Sequence, residues 1–187
     1  CSGPSALVVD WDAPVLPRTR TVIEIRQEHP HDIEAIREVN DRAFGQPLEG
    51  AIVDALRSHN AAMLSLVATR DGLVVGHIMY SPAYVGDLTG AGLGPMAVAP
   101  EHQRAGIGSQ LVAAGNEQLK SVGCPFIVVL GHPEFYPRFG FRPAAGYGIS
   151  CEWDVPDGAF MVSVLDDARM AGVSGVARYR PEFAAAV

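Results

Sequence analysis

From Thr21 onward the chain alternates between two hydrophobic periods. "TVIEIR" (21–26) places apolar residues at every second position, as a half-buried strand does. "HDIEAIREVNDRAF" (31–44) instead spaces Ile33, Ile36, Asn40, Ala43 and Phe44 along one helical face, with Asp32 placed to cap it. A shorter helical pattern, "LEGAIVDALRS" (48–58), gives way to "MLSLVAT" (63–69) and "LVVGHIMYSPAYV" (73–85), two strands joined at Asp71-Gly72, a pair suited to a tight hairpin turn. Next come "AGLGPMAVAP" (91–100), a helix from Gly106 to about Val122, and "FIVVL" (126–130). That is strand, helix, strand, with a connection long enough for a parallel crossover. "FGF" (139–141) and "AFMVSVLD" (159–166) add at least one more strand. These periods predict an α/β or α+β domain, a mixed sheet interrupted by helices, without repeats or low-complexity segments.

With 187 residues, 48% of them hydrophobic, the chain can bury one sizeable core. One domain is expected over residues 21–170, with arms at 1–20 and 171–187. The first arm, which begins at Cys1 and carries Pro4, Pro14 and Pro17, reads as a segment outside the fold or a cloning remnant. "ARYRPEFAAAV" at the other end carries no legible chemistry and reads as an arm against the sheet or a neighbouring subunit, which leaves a homodimer open. The formal charge of -7, from 14 Lys and Arg against 21 Asp and Glu, offers no basic field for nucleic acid or an anionic membrane, and neither is expected as a partner. No apolar run approaches the roughly 20 residues that span a bilayer, and the opening residues lack the layout of a signal peptide, so a cytoplasmic protein is expected. Cys1, Cys124 and Cys151 are too few and too scattered for a disulfide framework or a metal cluster. No metal is expected, and Cys124 and Cys151 read as small buried apolar side chains.

The candidate chemistry lies in "PEHQRAGIGSQLV" (100–112), which sets two glycines at the start of a helix, directly after an apolar strand. The first amides of a helix are unpaired and carry the positive end of its dipole, so they form a natural anion site. Gly106 and Gly108 remove the Cβ atoms that would keep a bulky diphosphate away, and Gln103, Arg104 and Ser109 surround the turn with donors. A nucleoside triphosphate loop would need G-x-x-x-x-G-K-[ST] and a dinucleotide fold G-x-G-x-x-G; neither is present. Taken alone, the two glycines fit a pyrophosphate loop or a plain strand-to-helix turn.

Three separated stretches resemble the GNAT superfamily of acyl-CoA-dependent N-acyltransferases. "QRAGIG" resembles its Q/R-x-x-G-x-G/A signature, with Gln103, Gly106 and Gly108 at the signature positions; "MAVAP" resembles its fourth strand and "YPRFGF" its Y-x-x-x-G-F segment. "LGPMAVAPEHQRAGIG", "VVLGHPEFYPRFGF" and "VPDGAFMV" together resemble the YhbS-like branch, over roughly Thr21 to Asp167. The resemblance implies a mixed, mostly antiparallel sheet flanked by helices, with the parallel crossover at the cofactor site. It implies acetyl-CoA as co-substrate, with the backbone of Met96, Ala97 and Val98 on the pantetheine and the loop Gln103, Arg104, Ala105, Gly106, Ile107, Gly108, Ser109 on the pyrophosphate. It also makes Tyr136 the general acid for the departing CoA thiolate. A phenol of ordinary pKa about 10 is a weaker acid than a thiol near 8.5, so Tyr136 is expected to act by hydrogen bonding as much as by full proton transfer.

Many members of the superfamily take the amine proton with a glutamate on the fourth strand or its neighbour, and "AGLGPMAVA" holds no carboxylate. The base is therefore expected among Asp87, Glu134, His77 and His132, or at the end of a water chain. His77, in the apolar "VVGHIMYS", reads better as a hydrogen-bonded core histidine. Trp153 fits an acceptor pocket or a loop packed on the core, and Arg138 and Arg142 fit a solvated surface or a CoA phosphate. The expected function is transfer of an acetyl or short acyl group to a primary amine, of a small molecule rather than a protein. The missing strand carboxylate keeps open a non-catalytic acyl-CoA-binding module of the same fold.

Overall fold

The computed structural model describes residues 22–156 and 158–185. The expected N-terminal arm over 1–20, with Cys1, lies outside them. In chain order the elements are β1 (Ile23–Gln27), α1 (Ile33–Phe44), α2 (Leu48–Ser58), β2 (Leu64–Arg70), β3 (Leu73–Val85), β4 (Leu88–Val98), α3 (Ile107–Ser121) and β5 (Phe126–Leu130). They continue with β6 (Arg142–Pro143), β7 (Ile149–Cys151), β8 (Phe160–Val164), α4 (Asp167–Met170) and β9 (Gly175–Arg178). The sheet runs β1-β2-β3-β4-β5-β8-β6, with β9 pairing both β3 and β7. β4 and β5 are parallel, joined through α3 by the expected crossover, and the short β7–β9 pair is also parallel. Every other pairing is antiparallel.

The alternation read from the sequence sorts the core onto the two faces. Leu66, Ile78, Tyr80 and Ile127 turn toward Leu111 and Leu119 of α3, whereas Val67 and Met79 turn to the opposite face, against Ile36 of α1 and Leu56 of α2. Farther along that second face, Phe126, Val128 and Phe160 pack beneath Tyr179. Asp71 (φ 52°) and Gly72 (φ 81°) make the predicted turn between β2 and β3. β4 begins at Leu88, earlier than its apolar run, because Val85 and Leu88 pair across a second two-residue turn.

Two local expectations differ. Asp32 caps the 3-10 turn Pro30–Asp32 instead of α1: its Oδ2 accepts from the His29 amide at 2.7 Å, and Arg26 grips the same carboxylate at 2.6 and 3.0 Å. "FGF" is no strand. Phe139 ends a 3-10 turn, Gly140 turns the chain at φ 87°, and Phe141 is buried as a plug in the core.

Gly90 shows how closely β4 and β5 approach. A Cβ there would lie 2.6 Å from the Phe126 carbonyl oxygen and 2.7 Å from its ring. Since backbone cannot swing aside as a side chain can, Gly90→Ala is expected to destabilise the protein by about 1–3 kcal/mol, read from the midpoint of urea denaturation.

Candidate active site

β4 and β5 part company near the middle of the sheet. Their pairing runs from Ala91 opposite Ile127 to Leu93 opposite Val129 and goes no further, while β4 continues to Val98. On its other edge β4 is shifted by one residue against β3, because Ile78 pairs with Met96 and Tyr80 with Leu93. Such a bulge bends the strand away from its neighbour. The Ala99 amide donates to Val75 O at 2.9 Å, so by antiparallel alternation Ala97 faces β3, where it pairs with His77. Of the three residues expected along the pantetheine, Met96 therefore turns both backbone groups and Val98 its N–H to the open edge, and Ala97 gives its own to the ladder. Gln103 is occupied as well, its Nε2 donating to Val98 O at 3.0 Å, which ties the signature loop to the end of β4.

That loop enters α3 through left-handed backbone at Arg104 (φ 60°) and Gly106 (φ 80°). The first intrahelical bond runs from Gln110 N–H to Gly106 O at 3.1 Å, so the amides of Ile107, Gly108 and Ser109 precede the ladder. No side chain caps this terminus and no acidic residue occupies its first turn. An anion therefore meets free donors and no competing carboxylate. A cavity of about 520 Å³ opens over these amides, with Met96, Val98, Arg104, Gly106, Gly108 and Ser109 in its lining. Ile107 reaches it too, but its side chain is buried against Gly76 of β3. Ala105 is exposed and lies outside the lining.

A second cavity, of about 330 Å³, meets the first at Phe44 and Met96. Tyr136 lines it from the 3-10 turn after β5, together with Glu49, His132, Trp153, Tyr179 and Phe183. The Tyr136 ring makes edge contacts with Phe135 and Phe141 at centroid distances of 5.0 and 5.5 Å, and it fills space left by the missing side chain of Gly131. Burial pushes its hydroxyl up to about pKa 12. Tyr136 thus keeps its proton at neutral pH and presents a donor.

The uncharacterised N-acetyltransferase YhbS of Escherichia coli is 37% identical over 162 residues, which cover 85% of this chain and 97% of that protein. The chain belongs to the GNAT acetyltransferase family. The family's acetyltransferase domain model matches residues 62–143, from β2 through β6. A second E. coli relative, the uncharacterised N-acetyltransferase YjhQ, is 40% identical over 133 residues, 67% of this chain and 74% of its own length. Among solved structures, YhbS in complex with CoA superposes with a TM-score of 0.84 at 35% identity, covering 88% of this chain and 93% of that one. A GNAT acetyltransferase from Brucella melitensis in complex with acetyl-CoA gives 0.73 at 35% identity, covering 87% and 99%. The mostly antiparallel sheet with its parallel β4–β5 pair is the GNAT fold expected from the sequence.

In the GNAT frame, the residues considered for the amine proton separate. His77 is fully buried beneath α1, between Asn40 Nδ2 at 3.2 Å and Ser65 Oγ at 2.9 Å, a core histidine as its apolar setting suggests. Asp87 lines a different groove, beside Tyr84 and Arg178. Glu134 lines neither cavity, and His132 lines the second. Arg138 lies at the first cavity with its guanidinium 4.8 Å from the Phe135 ring centroid, whereas Arg142 belongs to exposed β6. Among the described residues no group of three or more His, Cys, Asp or Glu is placed to hold a metal, and no helix is long and apolar enough to cross a membrane.

Sequence reasoning missed Glu49, Tyr179 and Phe183. Glu49 stands in the first turn of α2 without a motif around it, and Tyr179 and Phe183 come from the segment assigned to a C-terminal arm. Residues 175–178 instead form β9 within the sheet, and the following turn packs on α2. The one available signal was the pair of aromatics spaced four apart in "RYRPEF".

Proposed function

We propose that the protein transfers an acetyl or other short acyl group from acyl-CoA to a primary amine by direct attack on the thioester. The observation that carries this reading is the meeting of the two cavities at Met96, with an anion-binding helix terminus along one and a protonated tyrosine along the other. The donor's pyrophosphate fits the amides of Gly108 and Ser109, and its pantetheine fits the open backbone edge at Met96 and Val98. Acyl-CoA supplies an activated acyl carbon. The amine nitrogen forms a C–N bond to that carbon, the C–S bond breaks, the surplus amine proton passes to a base, and the thiolate accepts a hydrogen bond from Tyr136. With the phenol near 12, complete proton transfer to a thiolate of ordinary pKa about 8.5 is uphill, so Tyr136 stabilises the developing charge and solvent supplies the final proton. The E. coli YhbS complex with CoA and the Brucella complex with acetyl-CoA support the choice of donor.

Tyr136→Phe retains the ring packing and removes only the donor. Its kcat is expected to fall roughly 10- to 100-fold, the loss of one hydrogen bond to a charged group worth about 1.5–3 kcal/mol, while the Kd for CoA stays within about threefold. Release of free thiol from acetyl-CoA across a panel of amines measures the first quantity and calorimetry the second. CoA binding without thiol release from any amine would instead identify an acyl-CoA-binding module.

A further inference from the structure

We propose that the second cavity selects an arylalkylamine, holding the aromatic body against Trp153, Tyr179 and Phe183 and the ammonium at Glu49. This rests on the acyl-transfer reading and names its acceptor class.

Three features of the cavity carry the inference. One wall is aromatic and fixed: the Tyr179 ring centroid lies 5.3 Å from Trp153 and 5.3 Å from Phe183. The wall can press onto the sheet because β4 carries Gly92 beneath it, where a Cβ would come within 2.6 Å of the Tyr179 ring. The segment bearing it is pinned at both ends. The Tyr179 amide donates to Glu152 Oε1 at 2.6 Å, and Glu182 accepts from Arg180 at 2.9 Å while pairing with His59 on the far side at 2.8 Å. Rings held in this way bind a flat apolar group with little ordering cost.

Charge supplies the second and third features. Glu49 is the one carboxylate in the lining, and among the described residues it forms no ion pair; its oxygens accept from the Gln46 amide nitrogen at 3.1 and 3.3 Å. No lysine or arginine lines the cavity. One ammonium group is thus matched, whereas the distal ammonium of a diamine would be desolvated against the aromatic wall without a second carboxylate. An acceptor with a single charged end and an apolar ring fits both the walls and the charge count.

The test uses phenethylamine and putrescine as acceptors with the full chain and acetyl-CoA, together with calorimetry of phenethylamine binding to the CoA-loaded protein. The expected result is a kcat/KM for phenethylamine at least tenfold above that for putrescine. That preference should collapse at least tenfold in Trp153→Ala and in the milder Trp153→Leu, each first shown to bind CoA. Glu49→Gln should raise the KM for phenethylamine at least fivefold. Turnover of putrescine equal to or above that of phenethylamine overturns the acceptor class while leaving acyl transfer standing. If the CoA-loaded protein binds phenethylamine, more weakly in the Trp153 variants, yet acetylates no amine, the pocket assignment holds and acyl transfer falls. Absence of both phenethylamine binding and turnover in a protein that binds CoA overturns the pocket.

Discussion

Gly108→Glu is expected to raise the Kd for CoA at least about 100-fold while leaving the protein folded. The folded state tolerates a side chain at this position, since an added Cβ would lie 3.4 Å from Met96 Sδ and 3.7 Å from Phe135 Cζ, ordinary contact distances. Unlike Gly106, whose φ of 80° strains any L-residue, Gly108 has helical backbone, and a carboxylate in a helix's first turn favours the dipole. The new charge would stand at the cavity over the Gly108 and Ser109 amides, where a pyrophosphate needs them free. Repulsion and lost amide contacts each cost a few kcal/mol in a partly desolvated site, and about 2.7 kcal/mol already gives two orders of magnitude in Kd. Calorimetric titration with CoA checks it, with the urea midpoint as the control for folding. Unchanged affinity would show that the helix terminus is a turn and not the anion site, and the acyl-CoA reading would lose its base.

This part of the site was legible because its causes are local. A glycine pair between an apolar strand and a helical period specifies a bare helix terminus whatever the rest of the chain does, and the β4–α3–β5 crossover follows from connection length. The second cavity is built differently. Glu49, Trp153, Tyr179 and Phe183 lie on four segments that meet only after the sheet forms. β7 and β9 are three and four residues long, too short to show a period, so the C-terminal stretch looked like an arm until its pairing with β3 placed it. "FGF" failed as a strand for the converse reason: its two aromatics look like strand positions, but Gly140 takes left-handed backbone and turns Phe141 into the core. Which residue would take the proton in the proposed transfer was equally beyond local reading, because the choice depends on which titratable groups reach the second cavity.

His77 sets the protein's response to acid. It is fully buried, and burial holds its pKa down at about 4, against an ordinary 6.5, with the Glu28 carboxylate pulling it up and Arg57 pushing it down. Asn40 Nδ2 donates to Nδ1, so the neutral ring carries its proton on Nε2 and donates to Ser65 Oγ, whose hydroxyl donates in turn to Glu28. That chain of donors has no place for a second ring proton. Because the unfolded chain takes up the proton near pH 6.5 and the folded protein only near 4, the unfolded state binds more protons across this window. Stability is complete above 6.5, falls as pH drops, and loses nothing further to this group below 4. The expected loss between pH 7 and 4.5 is about 2.5 kcal/mol. Asp32, held down to about 2 by its hydrogen bonds from Arg26, and Glu182, held down to about 2 by Arg180, act in the same direction, but with ordinary values of 3.8 and 4.5 they together cost only about 0.5 kcal/mol by pH 4.5 and most of their effect lies below it. The larger step above pH 4.5 is therefore separable as the difference between the wild type and a variant without the imidazole. Urea denaturation of the wild type and of His77→Gln at pH 7 and 4.5 measures it: the wild type is expected to lose about 3 kcal/mol and the variant about 0.5–1, a difference of about 2.5 that belongs to His77 whatever the variant's stability at neutral pH. Equal losses in the two proteins would remove His77 as the source. The same buried residue rules itself out as the catalytic base, since a ring that takes a proton only at the cost of the fold cannot collect one from a substrate amine.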